Sequence, residues 1–216
     1  MQNIFEIKDV RYKSILSIDY LEIKASSITC IVGESGGGKT TLLRLLNKLI
    51  SPTEGHIFFH GDDLESLDTI EHRKHVSLLS QKPYIYPKTI KDNFIKALSF
   101  HKCTIDDKKM IELLNAVHLN KPLDNTVETL SGGEAQRLAL ARVMALDSNV
   151  ILLDEPSSAL DDQTEKLVIE KIVDYVEKNH KTLVMVTHSI QVAKQYADTI
   201  YTINHGKLER SVTNGH

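Results

Sequence analysis

Glycine, lysine and hydroxyl residues converge at Gly33-Glu34-Ser35-Gly36-Gly37-Gly38-Lys39-Thr40, with Thr41 following. The spacing fits G-x-x-x-x-G-K-[ST], with a β-branched apolar run (27–32) before it and a leucine-rich helical stretch after it. Glycines permit the positive φ angles that turn successive N–H groups inward, forming a nest for a β-phosphate. The helix N-terminus adds unpaired donors and the positive end of its dipole. Lys39 supplies a point charge for the β- and γ-phosphates, and the Thr40 hydroxyl a ligand for Mg2+. Residues 33–41 are therefore expected to hold a nucleotide polyphosphate.

Val150-Ile-Leu-Leu-Asp154-Glu155-Pro156 is the second chemical element. Its aliphatic run reads as a buried strand, and adjacent carboxylates at a strand end face different sides. Asp154 is placed to hold Mg2+, directly or through water, and Glu155 to polarise an attacking water. The third element is Thr129-Leu130-Ser131-Gly132-Gly133-Glu134, which runs into a long helix-forming stretch. It looks like a second helix N-terminus suited to an anion. One nucleotide rarely needs two such sites, and the residues alone leave the purpose of this one open.

The elements that position these groups follow from patterning. Residues 4–7 and 15–23 read as strands, with Arg11 to Ser14 as a polar turn, and 27–32 as a fully buried strand. A helix over 40–50, a strand at HIFFHG, a helix at DTIEHRKH and a strand at VSLLSQ come next. From Lys82 to about Asn120 the pattern is helical, in two apolar-striped segments joined by a Lys/Asp-rich link. After the helix that starts near Gly132 come a strand, an amphipathic helix, the strand TLVMVT, a short helix and a last strand at TIYTI. Strands alternating with helices predict an α/β fold with a mainly parallel sheet, the first two strands forming an antiparallel flap. Beyond Leu208 a short polar tail is expected, with no room for an appended domain.

Composition narrows the function classes. A 41% hydrophobic share in 216 residues suffices for a buried core. A net charge of −3, with pI near 6.4, gives no electrostatic case for nucleic acid. The N-terminus has neither a basic nor an apolar leader, so no signal peptide is expected. No apolar run approaches the roughly 18 residues of a membrane span, so work at a membrane would need a partner. Cys30 falls in an apolar run and Cys103 far from it, so free thiols in a reducing cytosol are expected. Paired histidines (His72 and His75, His56 and His60) lack the further ligands of a metal site and are expected at the surface.

The phosphate loop, LSGGE at Leu130–Glu134, VILLDEP, SSALD at Ser157–Asp161 and His188 after a strand, in this order, resemble an ATP-binding cassette (ABC) ATPase subunit. The resemblance covers essentially the whole chain. It implies a P-loop NTPase core with an antiparallel β flap and a helical subdomain. The core would span about 1–81 and 147–210 and the subdomain about 82–146, within one domain over 1–216.

By resemblance, Tyr12 stacks on adenine, although a half-exposed strand-end tyrosine is the plainer reading and Lys13 stands where the family has glycine. Gln81, expected to end the VSLLSQ strand, matches the glutamine that senses Mg2+ and the attacking water. Tyr84, Ile85 and Tyr86 in the next loop, expected to be exposed, match the link to a membrane-spanning partner. A mobile proline-bordered loop is compatible with this. His188, in register with Asp154, matches the histidine on the γ-phosphate, and Asp161 the loop that meets the opposite subunit.

The resemblance also answers the open question. Ser131, Gly132 and Gly133 of one subunit would face the γ-phosphate held by the other in a head-to-tail pair. The implied protein is an ATP- and Mg2+-dependent ATPase that dimerises around ATP and powers a transmembrane permease from the inner face of the cell membrane. The PKTIKDN segment resembles exporter-type and stand-alone cassettes. The alternative is a soluble ABC ATPase acting on DNA or ribosomes. It is disfavoured by the acidic balance, by a single cassette and by only about ninety residues between phosphate loop and LSGGE. A GTPase would need NKxD, and Asn47-Lys48 continues as Leu-Ile.

Overall fold

The computed structural model describes residues 2–157 and 161–213. The chain opens with three strands, β1 (Asn3–Tyr12), β2 (Leu16–Lys24) and β3 (Ile28–Val32), then α1 (Lys39–Leu46). β4 (Glu54–Phe59), the short β5 (Asp62–Asp63), α2 (Thr69–His75) and β6 (Val76–Leu79) follow. Three helices come next, α3 (Ile90–His101), α4 (Asp107–Ala116) and α5 (Gly132–Ala145). β7 (Val150–Asp154), α6 (Asp162–Lys178), β8 (Thr182–Val186), α7 (Ile190–Tyr196), β9 (Thr199–Asn204) and β10 (Lys207–Thr213) complete it.

These strands form one sheet in the order β5-β4-β1-β2-β10-β9-β3-β8-β7-β6. From β9 to β6 every neighbour is parallel, while β1, β2, β4 and β5 pair antiparallel. Strands β3, β7 and β8 are buried at every position, so they read as continuous aliphatic runs rather than alternations. Their two faces feed two cores. Ile31, Val150, Leu152, Val184 and Val186 pack with α1 and the antiparallel strands. Cys30, Ile151, Leu153, Leu183 and Met185 pack with α3 to α6. The fold is the expected one, with a curled, mostly parallel sheet carrying an antiparallel layer.

Several local expectations are corrected. β1 continues through Arg11 and Tyr12, because Arg11 pairs with Ser17 and with Glu54. The polar tail is a strand: Leu208 to Thr213 of β10 pair antiparallel with β9, and Lys207 meets Ser17 of β2. β6 stops at Leu79, leaving Gln81 beyond the ladder. Asp154 pairs with Val186, two residues short of His188. Ile85 and Tyr86 are partly buried, and only Tyr84 of that trio is exposed. Ser158, Ala159 and Leu160 of the SSALD stretch lie outside the described residues. Both thiols are free, and burial pushes the Cys30 thiol up to about 12.

His72 is also corrected: it is buried, not at the surface. Its ring meets Phe59 edge-on at 4.9 Å, and Nε2–H donates to the Leu46 carbonyl at 2.8 Å, tying α2 to the end of α1. Nδ1 is buried without a partner. Burial therefore lowers the pKa, since a second ring proton would have no acceptor. The unfolded chain binds that proton more readily, so stability is full above the unfolded value and falls as pH drops through it. Between about pH 7.5 and about pH 5.5, straddling an unperturbed histidine's pKa, the urea midpoint should fall. The fall should be smaller for His72→Gln, whose amide N–H can still serve the Leu46 carbonyl.

Candidate functional site

Parallel strands deliver their C-terminal ends to one edge of the sheet, and the candidate groups lie there. Ser35 through Thr41, Gln81, Glu155 and His188, together with Ile15, line one cleft of about 460 Å3. A smaller cavity of about 200 Å3 between Lys48 and Asp63 contains none of these groups.

The loop between β3 and α1 is held in shape by its own backbone. Gly37 N–H donates to the Glu34 carbonyl at 3.1 Å. The Lys39 ammonium donates to the Gly33 and Glu34 carbonyls at 2.9 and 2.7 Å, and so lies across the loop. Its burial lowers the lysine pKa, opposed by the nearby charges of Glu155 and Asp154. Gly38 caps α1 at φ 100, where a Cβ would sit 2.9 Å from Leu16 and 3.1 Å from the Ile15 carbonyl. α1 thus has no side-chain cap and no acid in its first turn. Helices α2 to α7 each begin with an Asp, Thr or Ser side chain accepting a backbone N–H. Among the α-helices of the described residues, only α1 leaves its first donors without one, which suits an anion.

The two strand-end carboxylates do diverge. Asp154 Oδ1 accepts from the Thr40 hydroxyl at 2.9 Å. Burial raises the Asp154 pKa, the Thr40 hydrogen bond lowers it, and the Glu155 charge raises it again. Glu155 N–H still donates to the Val186 carbonyl at 3.1 Å, the last rung of the ladder. Its φ of 50 then leaves the extended region and swings the side chain across the strand ends. There Gln81 Nε2 donates to Oε2 at 2.5 Å, and His188 Nε2 lies 2.7 Å from Oε1. Residues from the ends of β6, β7 and β8 thus converge on one carboxyl group.

The other expected residues lie outside this cleft. Gly33 and Glu34 form the back of the loop. Tyr12 ends β1, half-buried, with the Lys13 ammonium 5.2 Å from its ring centre. Lys13 adopts φ 50, which explains why glycine suits that position. Ser131 caps α5: its hydroxyl accepts from Glu134 N–H at 3.3 Å, and Glu134 Oε2 accepts from Ser131 N–H at 2.9 Å. The Ser131 backbone N–H and hydroxyl both help to hold the Glu134 carboxyl below its ordinary value. Asp161 is exposed and caps α6 through Thr164.

Sequence reasoning missed three contributors. Ile15 lines the cleft although it is a lone apolar residue in a turn. Asn93, fully buried, accepts from Tyr86 N–H at 3.0 Å and donates to the Tyr86 and Thr89 carbonyls at 2.9 Å. Arg142 of α5 donates to Asn93 at 2.9 Å and to the Tyr84 carbonyl at 2.8 Å. The loop after Gln81 is therefore fastened to α5. A partly buried polar pair spanning about fifty residues has no periodic signal in sequence.

A family model described as ABC transporter matches residues 16–158. The chain belongs to the ABC transporter family. The cassette is 38% identical over 191 residues to the phosphate import ATP-binding protein PstB 1 of Lactobacillus acidophilus, covering 82% of this chain and 71% of that one. It is 34% identical over 189 residues to the ABC transporter I family member 17 of Arabidopsis thaliana, covering 87% and 72%. A dimeric ATP-binding cassette in a post-hydrolysis state, bound to ADP and Pi, superposes with TM-score 0.86 at 28% identity over 98% of this chain and 100% of that one. The cassette binds ATP and is an ATPase. Glu155→Gln keeps the contacts to Gln81 and His188 within reach but removes the negative charge that the expected role as proton acceptor needs. Steady-state phosphate release should fall by about 10²–10³-fold while calorimetric ATP affinity is retained.

Proposed function

We propose that this ATPase works as a pair of chains that close around ATP and drive transport through a separate membrane-spanning protein. One observation carries the reading. Ser35 to Thr41, Gln81, Glu155 and His188 share a cleft, while the exposed, glycine-led start of α5 at Ser131, Gly132 and Gly133 stands outside it. A glycine-led helix start with no part in its own cleft suits close approach to the γ-phosphate held by a second copy. The dimeric state of the similar cassette supports this.

In this reading Gly33 to Thr41 cradle the phosphates, with Tyr12 against the adenine and Asp161 meeting the second copy. Thr40 and Asp154 present hard oxygen donors 2.9 Å apart, a donor set that fits Mg2+, with Gln81 nearby. Bound there, Mg2+ would neutralise charge on the phosphate oxygens. Glu155 takes the proton of the attacking water, and Gln81 and His188 hold that carboxylate at both oxygens. ATP at two composite sites favours the closed pair, and loss of the γ-phosphate releases it.

The core over about 1–81 and 147–210 carries the nucleotide, and the helical part over about 82–146 meets the membrane partner. Beside Tyr84, a groove of about 310 Å3 is lined by Tyr86, Pro87 and Ile95, with Lys88, Asp92 and Lys96 among its polar residues. Among the described residues no helix is long and apolar enough to cross a membrane. The groove would place the ATPase at the inner membrane face through its partner. Cargo would touch that partner and not this chain.

Two measurements test the reading. Gel filtration of Glu155→Gln should shift from monomer to dimer when ATP is added, and an unchanged elution volume would refute the bridge. Ile95→Asp, in the groove wall, should abolish co-sedimentation with membranes from the native host while phosphate release by the purified chain is unaffected.

A further inference from the structure

The turn between β9 and β10 lies against the back of the phosphate loop. We propose that this turn is the loop's backing and that Asn204 is a positioning residue for phosphate binding. The inference rests on the reading that residues 33–41 hold the phosphates.

Asn204 Oδ1 accepts from Glu34 N–H at 2.8 Å, and its Nδ2 donates to Glu209 Oε2 at 2.7 Å. A carboxylate can only accept, so Glu209 fixes which way the Asn204 amide faces. The amide oxygen must then point at the loop. Two residues on, Gly206 N–H donates to the Gly37 carbonyl at 3.0 Å. The turn therefore grips the loop on both sides of Ser35 and Gly36.

Peptide planarity converts these outer contacts into inner geometry. In a trans peptide the C=O and N–H point in opposite directions. Glu34 N–H, drawn outward by Asn204, shares its peptide with the Gly33 carbonyl, which holds the Lys39 ammonium. The Gly37 carbonyl, drawn outward by Gly206, shares its peptide with Gly38 N–H, which then points inward at the mouth of α1. Asn204 thus sets the lysine's seat, and Gly206 sets a nest donor.

The packing leaves little slack. A Cβ on Gly33 would lie 2.0 Å from the Ile203 carbonyl, and one on Gly37 2.9 Å from it. On its other side the turn meets β2: the Gly206 carbonyl accepts from Ser17 N–H at 2.7 Å, and a Cβ on Gly206 would lie 2.3 Å from the Ile15 carbonyl. The same turn thus joins the phosphate loop to Ile15 in the cleft wall.

Titration calorimetry with ADP, paired with nucleotide-free melting, tests this on the purified chain. Asn204→Leu removes the acceptor at similar volume and should weaken ADP about tenfold, which corresponds to about 1.4 kcal/mol. Its melting temperature should stay within a few degrees of native. Asn204→Asp alone sets two carboxylates against each other and should bind as weakly. Adding Glu209→Gln to it relieves that repulsion, reverses the donor and acceptor between these side chains, holds the new carboxylate on Glu34 N–H and should return affinity to the native range. The proposal is overturned if Asn204→Leu binds ADP like the native chain. It is equally overturned if the loss caused by Asn204→Asp persists when Glu209→Gln is added. Lys39→Ala serves as the separate arm: undiminished ADP binding there would overturn the reading of the loop itself.

Discussion

The constraint on which the site depends is the parallel register of β6, β7, β8 and β3. It brings Gln81, Glu155 and His188 off the ends of three neighbouring strands, with the phosphate loop off a fourth. The register is specified by burial on both faces. A slip of one residue would exchange the sets facing the two cores, sending Leu153 where Leu152 packs. It would also take Asp154 away from Thr40. Aliphatic packing along the strands therefore sets carboxylate placement at their ends, and the final rung, Glu155 to Val186, is where ladder gives way to site.

A second dependence runs through α5. Its 14 residues span about 20 Å at 1.5 Å per residue. One end is the Ser131–Glu134 capping box, and near the other Arg142 grips Asn93 and the Tyr84 carbonyl. The helix thus joins its glycine-led start to the loop that follows Gln81 through one unbroken backbone ladder. The Asn93–Arg142 pair is a partly buried polar contact, which fixes one arrangement at the expense of looser ones.

Much of this was legible in sequence because it rests on short-range patterns. The phosphate loop, VILLDEP and the Ser131 helix start are contiguous, and buried parallel strands announce themselves as aliphatic runs. What escaped was long-range or conditional. His72 sits among surface-like residues (Glu71, Arg73, Lys74), and its burial comes from Phe59 and Leu46, far off in the chain. β10 has the composition of a tail and becomes a strand through its partners, β9 and β2. The left-handed turn at Glu155 accompanies its contacts with Gln81 and His188, residues distant in sequence, and no property of a glutamate predicts it. The family resemblance supplied the roles of distant residues but not Asn93, Arg142 or the contact between Asn204 and Glu34.

That last contact spans 170 residues. Synthesis proceeds from the N-terminus at roughly 5–20 residues per second, so the glycine loop leaves the ribosome on the order of ten seconds before the residues behind it. A chain stopped after Thr41 but short of residue 203 carries the whole glycine loop and lacks the β9–β10 turn behind it. Ligand binding stabilises only the state that binds. On the proposed reading of the loop, bound nucleotide therefore stabilises a chain that has this turn more than one that lacks it.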